Sequence, residues 1–312
     1  MTTRRRFLCG AAALTLASAF SPAFVPGQAK SRTRLILLGT KGGPKVTTTG
    51  RSNPSTLLLV DDEPYVIDCG YGTTRQLLSA GVSPERVRSI FITHLHSDHT
   101  LEYGALFYNA WAAGSSAPVE TYGPAGLEQM THGFFTMMKT DIEVRIEDEG
   151  RPDLRKLVSV HEIGKPGIVL HNDILKVSAA SMRHPMVKHA YAYRFDTPDR
   201  SVVISGDTAY SPELAELAQG ADVLVHEAMY LPAIESLVRR YPNATRLREH
   251  LLDSHTTTED AGKIAALANV KTLVLSHFVP GDDPTITDEQ WQEGAAKHFK
   301  GKIIVGKDLM EI

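Results

Sequence analysis

Residues 92–104 read ITHLHSDHTLEYG, and His94, His96, Asp98 and His99 within them form the pattern H-x-H-x-D-H. Four side chains able to ligate a metal stand in six positions, a density that suits a zinc site far better than a solvated loop. Three further residues match them in kind. His184 lies in SMRHPMV, Asp207 in VVISGDTAY and His277 in KTLVLSHFVPG. A single tetrahedral ion with an open position takes three protein ligands, so seven donors suit two ions that share a carboxylate. The expected division puts His94, His96 and His184 on one ion and Asp98, His99 and His277 on the other, with Asp207 bridging. Ligand type points to two zinc ions, with manganese or iron as alternatives. Such a pair would activate a bridging hydroxide for attack on phosphorus, sulfur or a carbonyl carbon, with Asp98 helping to orient it.

Each ligand segment follows an apolar, β-branched run: VRSIFIT, DILKVSAAS, VVIS and KTLVLS. Runs of this kind read as buried strands, so the fold would gather the ligands at strand exits along one edge. Around them, TRLILLGT and STLLLVDDEPYVIDCG read as further strands, separated by the polar loop KGGPKVTTTGRSNP. TTRQLLSAG and residues 124–139 read as helices, residues 141–180 alternate as strands do, and YAYRFDT with RSVVISGDT reads as a hairpin. Three helix-then-strand units follow. Strands lead the first half and helix–strand pairs the second, which predicts two sheets packed face to face with helices outside.

The chain has 312 residues, 42% hydrophobic and 22% charged, with neither a low-complexity linker nor a fixed-period repeat, and one α/β domain accounts for it. Its first 29 residues differ from the rest. Arg4, Arg5 and Arg6 precede an apolar stretch, Phe7 to Phe20, too short to span a bilayer, and small residues follow. This predicts a cleavable leader over 1–29 of twin-arginine type, hence export to the periplasm or beyond through the twin-arginine machinery, with no stable membrane anchor. Loss of the leader would deepen the formal charge from −3 to −6, a poor footprint for a polyanion-binding protein. Cys69 would remain as the lone cysteine, which excludes an intrachain disulfide.

The segments FITHLHSDH, RHP, VISGDT, LVHEAMY, HTTTEDAGKIA and LVLSHF, in that order, resemble the metallo-β-lactamase superfamily over roughly residues 33–306. Within it they resemble the branch of tRNase Z and its phosphodiesterase and arylsulfatase relatives. The resemblance implies an αββα sandwich, two mixed sheets flanked by helices with a dinuclear site at one edge, and the same division of ligands. It also implies that Glu227 and His255 pair, the histidine facing the scissile group. A protonated imidazole oriented by a carboxylate can hold a phosphate or sulfate oxygen and then protonate the leaving oxygen. An oligomer is implied at family level only.

The tRNase Z enzymes of this branch carry a long arm between the segments matching His184 and Asp207, where this chain has 22 residues. Together with the leader and the acidity, this predicts an exported hydrolase of small phosphodiesters or aryl sulfate esters with no nucleic-acid partner. A lactonase or thioesterase, a tRNase Z-type endoribonuclease and a non-catalytic metal binder are the alternatives. Phe107, Tyr108, Trp111, Phe134, Phe135, Met137 and Met138 would either wall an apolar pocket or form helix core. Residues 230–255 would form a helical lid, whose Arg239, Arg240, Arg246 and Arg248 either steer an anion or simply face solvent.

Overall fold

The computed structural model describes residues 32–46 and 50–312. The leader expected at 1–29 lies outside the described residues. Strand β1 (Thr33–Gly39) is followed by β2 (Ser55–Val60), β3 (Glu63–Ile67), β4 (Ser89–Phe91), β5 (Val119–Pro124) and β6 (Val158–Ile163). A second series comprises β7 (Gly167–His171), β8 (Lys176–Ser181), β9 (Tyr191–Asp196), β10 (Ser201–Ile204), β11 (Val223–Met229), β12 (Thr272–Val279) and β13 (Lys302–Val305). A last short strand, β14 (Met310–Glu311), returns to pair with β1. The two seven-stranded sheets run in the orders β14-β1-β2-β3-β4-β5-β6 and β13-β12-β11-β10-β9-β8-β7.

Both sheets are mixed. β3 to β6 are mutually parallel, as are β10 to β13, and the remaining pairs are antiparallel. Alternation along β1 shows why its run is apolar throughout. Leu35 and Leu37 face the layer between the sheets with Leu58, Phe91, Tyr193 and Val274. Ile36 and Leu38 face the opposite way, toward Leu77, Leu106 and Trp111 of the outer helices. A strand covered on both faces needs apolar residues at every position. The second sheet is covered likewise, by Ala261, Ile264 and Ala265 of helix Thr258–Leu267 and by Trp291 of helix Asp288–Ala296. The architecture is the αββα sandwich, and every parallel strand ends at the same edge.

One expectation is corrected. Residues 141–149, where strand-like alternation was expected, belong to a helix, Lys139–Glu149. Ile142, Val144 and Ile146 alternate, yet only Ile142 is buried and Val144 is 56% exposed. Arg145 bonds Asp141 and Glu149, one turn away on either side, and Gly150 closes the helix at φ 70°. Of the two alternatives for the aromatic set, helix core is the one found: Phe107, Trp111 and Phe135 are buried under the first sheet with Tyr108, Phe134 and Met138 packed on them. Met137 points to solvent.

Candidate metal centre and active site

The strands deliver their polar residues to one edge. Asp68 follows β3, His94 to His99 follow β4, His184 follows β8 and Asp207 follows β10. Glu227 lies inside β11, and His277 inside β12 where the sequence places it just beyond a strand. The β11–β12 register explains this. Glu227 pairs with Ser276 and Ala228 with Phe278, so His277 is the extra residue of a bulge, at φ 43°. A bulge re-aims one side chain without ending the strand.

His94, His96, His184 and Asp207 each offer a donor atom within 4.8 Å of the others, and so do Asp98, His99, Asp207 and His277. Asp207 belongs to both groups. His277 Nε2 lies 3.0 Å and His99 Nε2 3.2 Å from Asp207 Oδ1, and His277 Nε2 lies 3.5 Å from Asp98 Oδ2. Ligands about 2.0 Å from a shared tetrahedral zinc stand about 3.3 Å apart, so the spacing fits coordination. His94 Nε2, His99 Nε2, His184 Nδ1, Asp207 Oδ1 and both nitrogens of His277 are buried without a hydrogen-bond partner among the described residues. Leaving each such atom unsatisfied costs about 1–3 kcal/mol. Metal ions would satisfy one ring nitrogen of each of these histidines together with Asp207 Oδ1, and the residues therefore fit two divalent cations.

Electrostatics agree with this. Burial holds the imidazole of His94 well below its ordinary pKa, the neutral form that a metal ligand requires. Burial disfavours charge on Asp207, but His277, His99 and His94 outweigh it and hold the carboxyl well below its usual range. A residue missed in the sequence completes the second group. Asp68 Oδ2 accepts from His99 Nδ1 at 2.8 Å, and Asp68 Oδ1 accepts from the Thr93 amide at 2.8 Å. This leaves His99 Nε2 facing the ligand set. Asp68 follows an apolar strand in YVIDCG, the same strand-exit signal that singles out Asp207.

Glu227 and His255 meet. Glu227 Oε2 is 2.8 Å from His255 Nδ1, while Oε1 accepts from the Thr208 amide at 2.7 Å. Burial disfavours charge on His255, but the Glu227 carboxylate beside it prevails and lifts the imidazole to about 9. His255 and His277 stack 5.6 Å apart, which places the pair against the second group. His250, not singled out in the sequence, has its ring 6.1 Å from His96, 6.0 Å from His184 and 5.7 Å from His255. The His94, His96 and His184 rings are 4.7–4.9 Å apart, so His250 stands just outside them.

Within residues 230–255, helices Ile234–Arg239 and Leu247–Ser254 pack through Ile234 and Leu251 onto Met229 and Val279. Three of its arginines are paired: Arg240 with Asp282, Arg246 with Glu249 and Arg248 with Glu235. Among the described residues no helix is long and apolar enough to cross a membrane.

Residues 64–278 match the Beta-lactamase superfamily domain family. Curated relatives include the ribonuclease Z of Mycobacterium marinum, 31% identical over 281 residues, 89% of this chain and 97% of the relative. The ribonuclease Z of Mycobacterium sp. strain KMS is 32% identical over 282 residues, 89% of this chain and 95% of that protein. Similar folds include the human short-form tRNase Z, with TM-score 0.64 and 22% identity over 89% of this chain and 98% of that one. These relatives overturn the expected arylsulfatase-like hydrolase of small esters with no nucleic-acid partner. The missing arm does not separate this chain from them, because the match already takes in 97% of the M. marinum protein. The chain belongs to the beta-lactamase superfamily of metal-dependent hydrolases, on the branch that includes ribonuclease Z.

Proposed function

We propose that this protein is a tRNase Z-type endoribonuclease that hydrolyses a phosphodiester bond of RNA. The observation that carries the reading is the Glu227–His255 pair, held 2.8 Å apart beside the converged ligand groups. Whole-length similarity to proteins named ribonuclease Z supports it.

His94, His96 and His184 would hold one ion, Asp98, His99 and His277 the other, and Asp207 both; zinc suits these donors best. When bound, the ions supply Lewis-acid stabilisation of phosphoryl charge and activate water for attack. The chain's own residues do the rest. Asp68 and Thr93 orient His99, and the His277 bulge aims its imidazole at Asp207. Glu227 fixes the tautomer and charge of His255 through Nδ1, leaving Nε2–H to bond a phosphate oxygen and to protonate the departing ribose oxygen. Residues 230–255 act as a lid over this face.

A precursor tRNA incubated with the metal-replete protein is expected to yield discrete cleavage products, lost in a His255→Ala variant. Intact precursor after long incubation with fully metal-loaded protein would overturn the reading.

A further inference from the structure

A cleft of about 250 Å³ runs up to His255 between the segment around residues 41–45 and the 230–255 helices. Leu237, Leu247, Leu251 and Val279 make its walls largely apolar. Lys41 also lines it, although it is only 4% exposed. Its Nζ donates to the carbonyls of Gly43 at 2.7 Å and Gly42 at 3.3 Å, and among the described residues it has no carboxylate within ion-pair distance. The carboxylate that does face the cleft, Asp282, is taken by Lys45 and by Arg240 at 3.3 Å.

A buried ammonium with only carbonyl partners keeps an uncompensated charge, which is costly, and one of its three N–H donors stays unspent. Burial accordingly lowers the Lys41 pKa, against the pull of Asp98 and Asp282. The segment carrying Lys41 is tied to the ligand set, since the Gly43 amide donates to Asp98 Oδ2 at 2.8 Å. His250 lines the same cleft with its ring 5.7 Å from that of His255, giving a second donor there.

We propose that Lys41, with His250 lining the same cleft, forms an anion subsite that holds a backbone phosphate of the RNA next to the scissile one. The proposal rests on the endoribonuclease reading for the identity of the anion. An ion in this cleft would complete the Lys41 charge pair, while the apolar walls receive the attached nucleoside. Lys41 is a substrate-positioning residue and takes no part in bond breaking.

The test couples protein charge to substrate charge. Binding of a short fluorescein-labelled oligoribonucleotide is measured by anisotropy for the metal-loaded parent and a Lys41→Met variant. Single methylphosphonates then neutralise one phosphate at a time. In the parent, one position beside the cleavage site should weaken binding about tenfold, the scale of a charge-assisted hydrogen bond. In Lys41→Met the same replacement should cost less than about twofold. Losses that multiply at every position would overturn the subsite, as would an unchanged affinity in Lys41→Met. Thermal unfolding and metal content check that the variant is intact. RNA that is bound but not cut would sink the endoribonuclease reading while the coupling still decides the subsite. RNA neither bound nor cut would sink both.

Discussion

Glu227 and His255 carry the most specific chemistry of any two side chains here. His255→Ala should lower kcat on RNA at least about a hundredfold, the lower end for losing a general acid, with metal content unchanged by atomic emission. The Glu227 carboxylate raises the His255 pKa to about 9. The protonated donor is therefore present below that pKa and is lost as pH rises through it. Glu227→Gln removes the raising charge, so the alkaline limb of kcat against pH should move down by at least about one pH unit. A limb that stays in place would assign it to another group. Asp68 acts through His99, and Asp68→Ala should weaken metal binding about ten- to a hundredfold in chelator competition.

Among the elements, β12 is the most exacting. His277 sits in a bulge at φ 43°, and Gly42 packs directly on its ring: a Cβ at Gly42 would lie 2.6 Å from His277 Cε1 and 2.7 Å from Nδ1. Such contacts force a shift, so Gly42→Ala should lower the bound metal below two ions per chain and reduce activity accordingly. An unaltered metal ratio would show that the bulge yields. Much of this layer was legible in the sequence. Apolar runs marked the strands, and the dense H-x-H-x-D-H after VRSIFIT marked one edge. The His277 bulge was not legible, because it depends on register against β11. Asp68 was passed over because nothing in YVIDCG names its partner. Helix Lys139–Glu149 was misread because Ile142, Val144 and Ile146 alternate, while the helix buries only Ile142. Substrate class was misread because net charge and one loop length describe the bulk of the chain and say little about what its site binds.

Across the whole molecule, the ligands come from both sheets: His94, His96, Asp98 and His99 follow β4, while His184, Asp207 and His277 belong to the other half of the sandwich. Metal binding would therefore tie the two sheets together, and the native state alone presents the assembled site. Removing the ions should lower the unfolding temperature, and adding zinc back should restore it in a concentration-dependent way. Scanning calorimetry with and without chelator measures this, and an unfolding temperature indifferent to chelator would argue against ions spanning the sheets. The central claim is that the joined ligand groups and the Glu227–His255 pair cut RNA, and single-turnover cleavage of a precursor tRNA by metal-loaded parent and His255→Ala tests it most directly. The account predicts discrete products from the parent and a rate at least about a hundredfold lower in the variant. Equal rates in the two, or an uncut precursor with the parent, would contradict it.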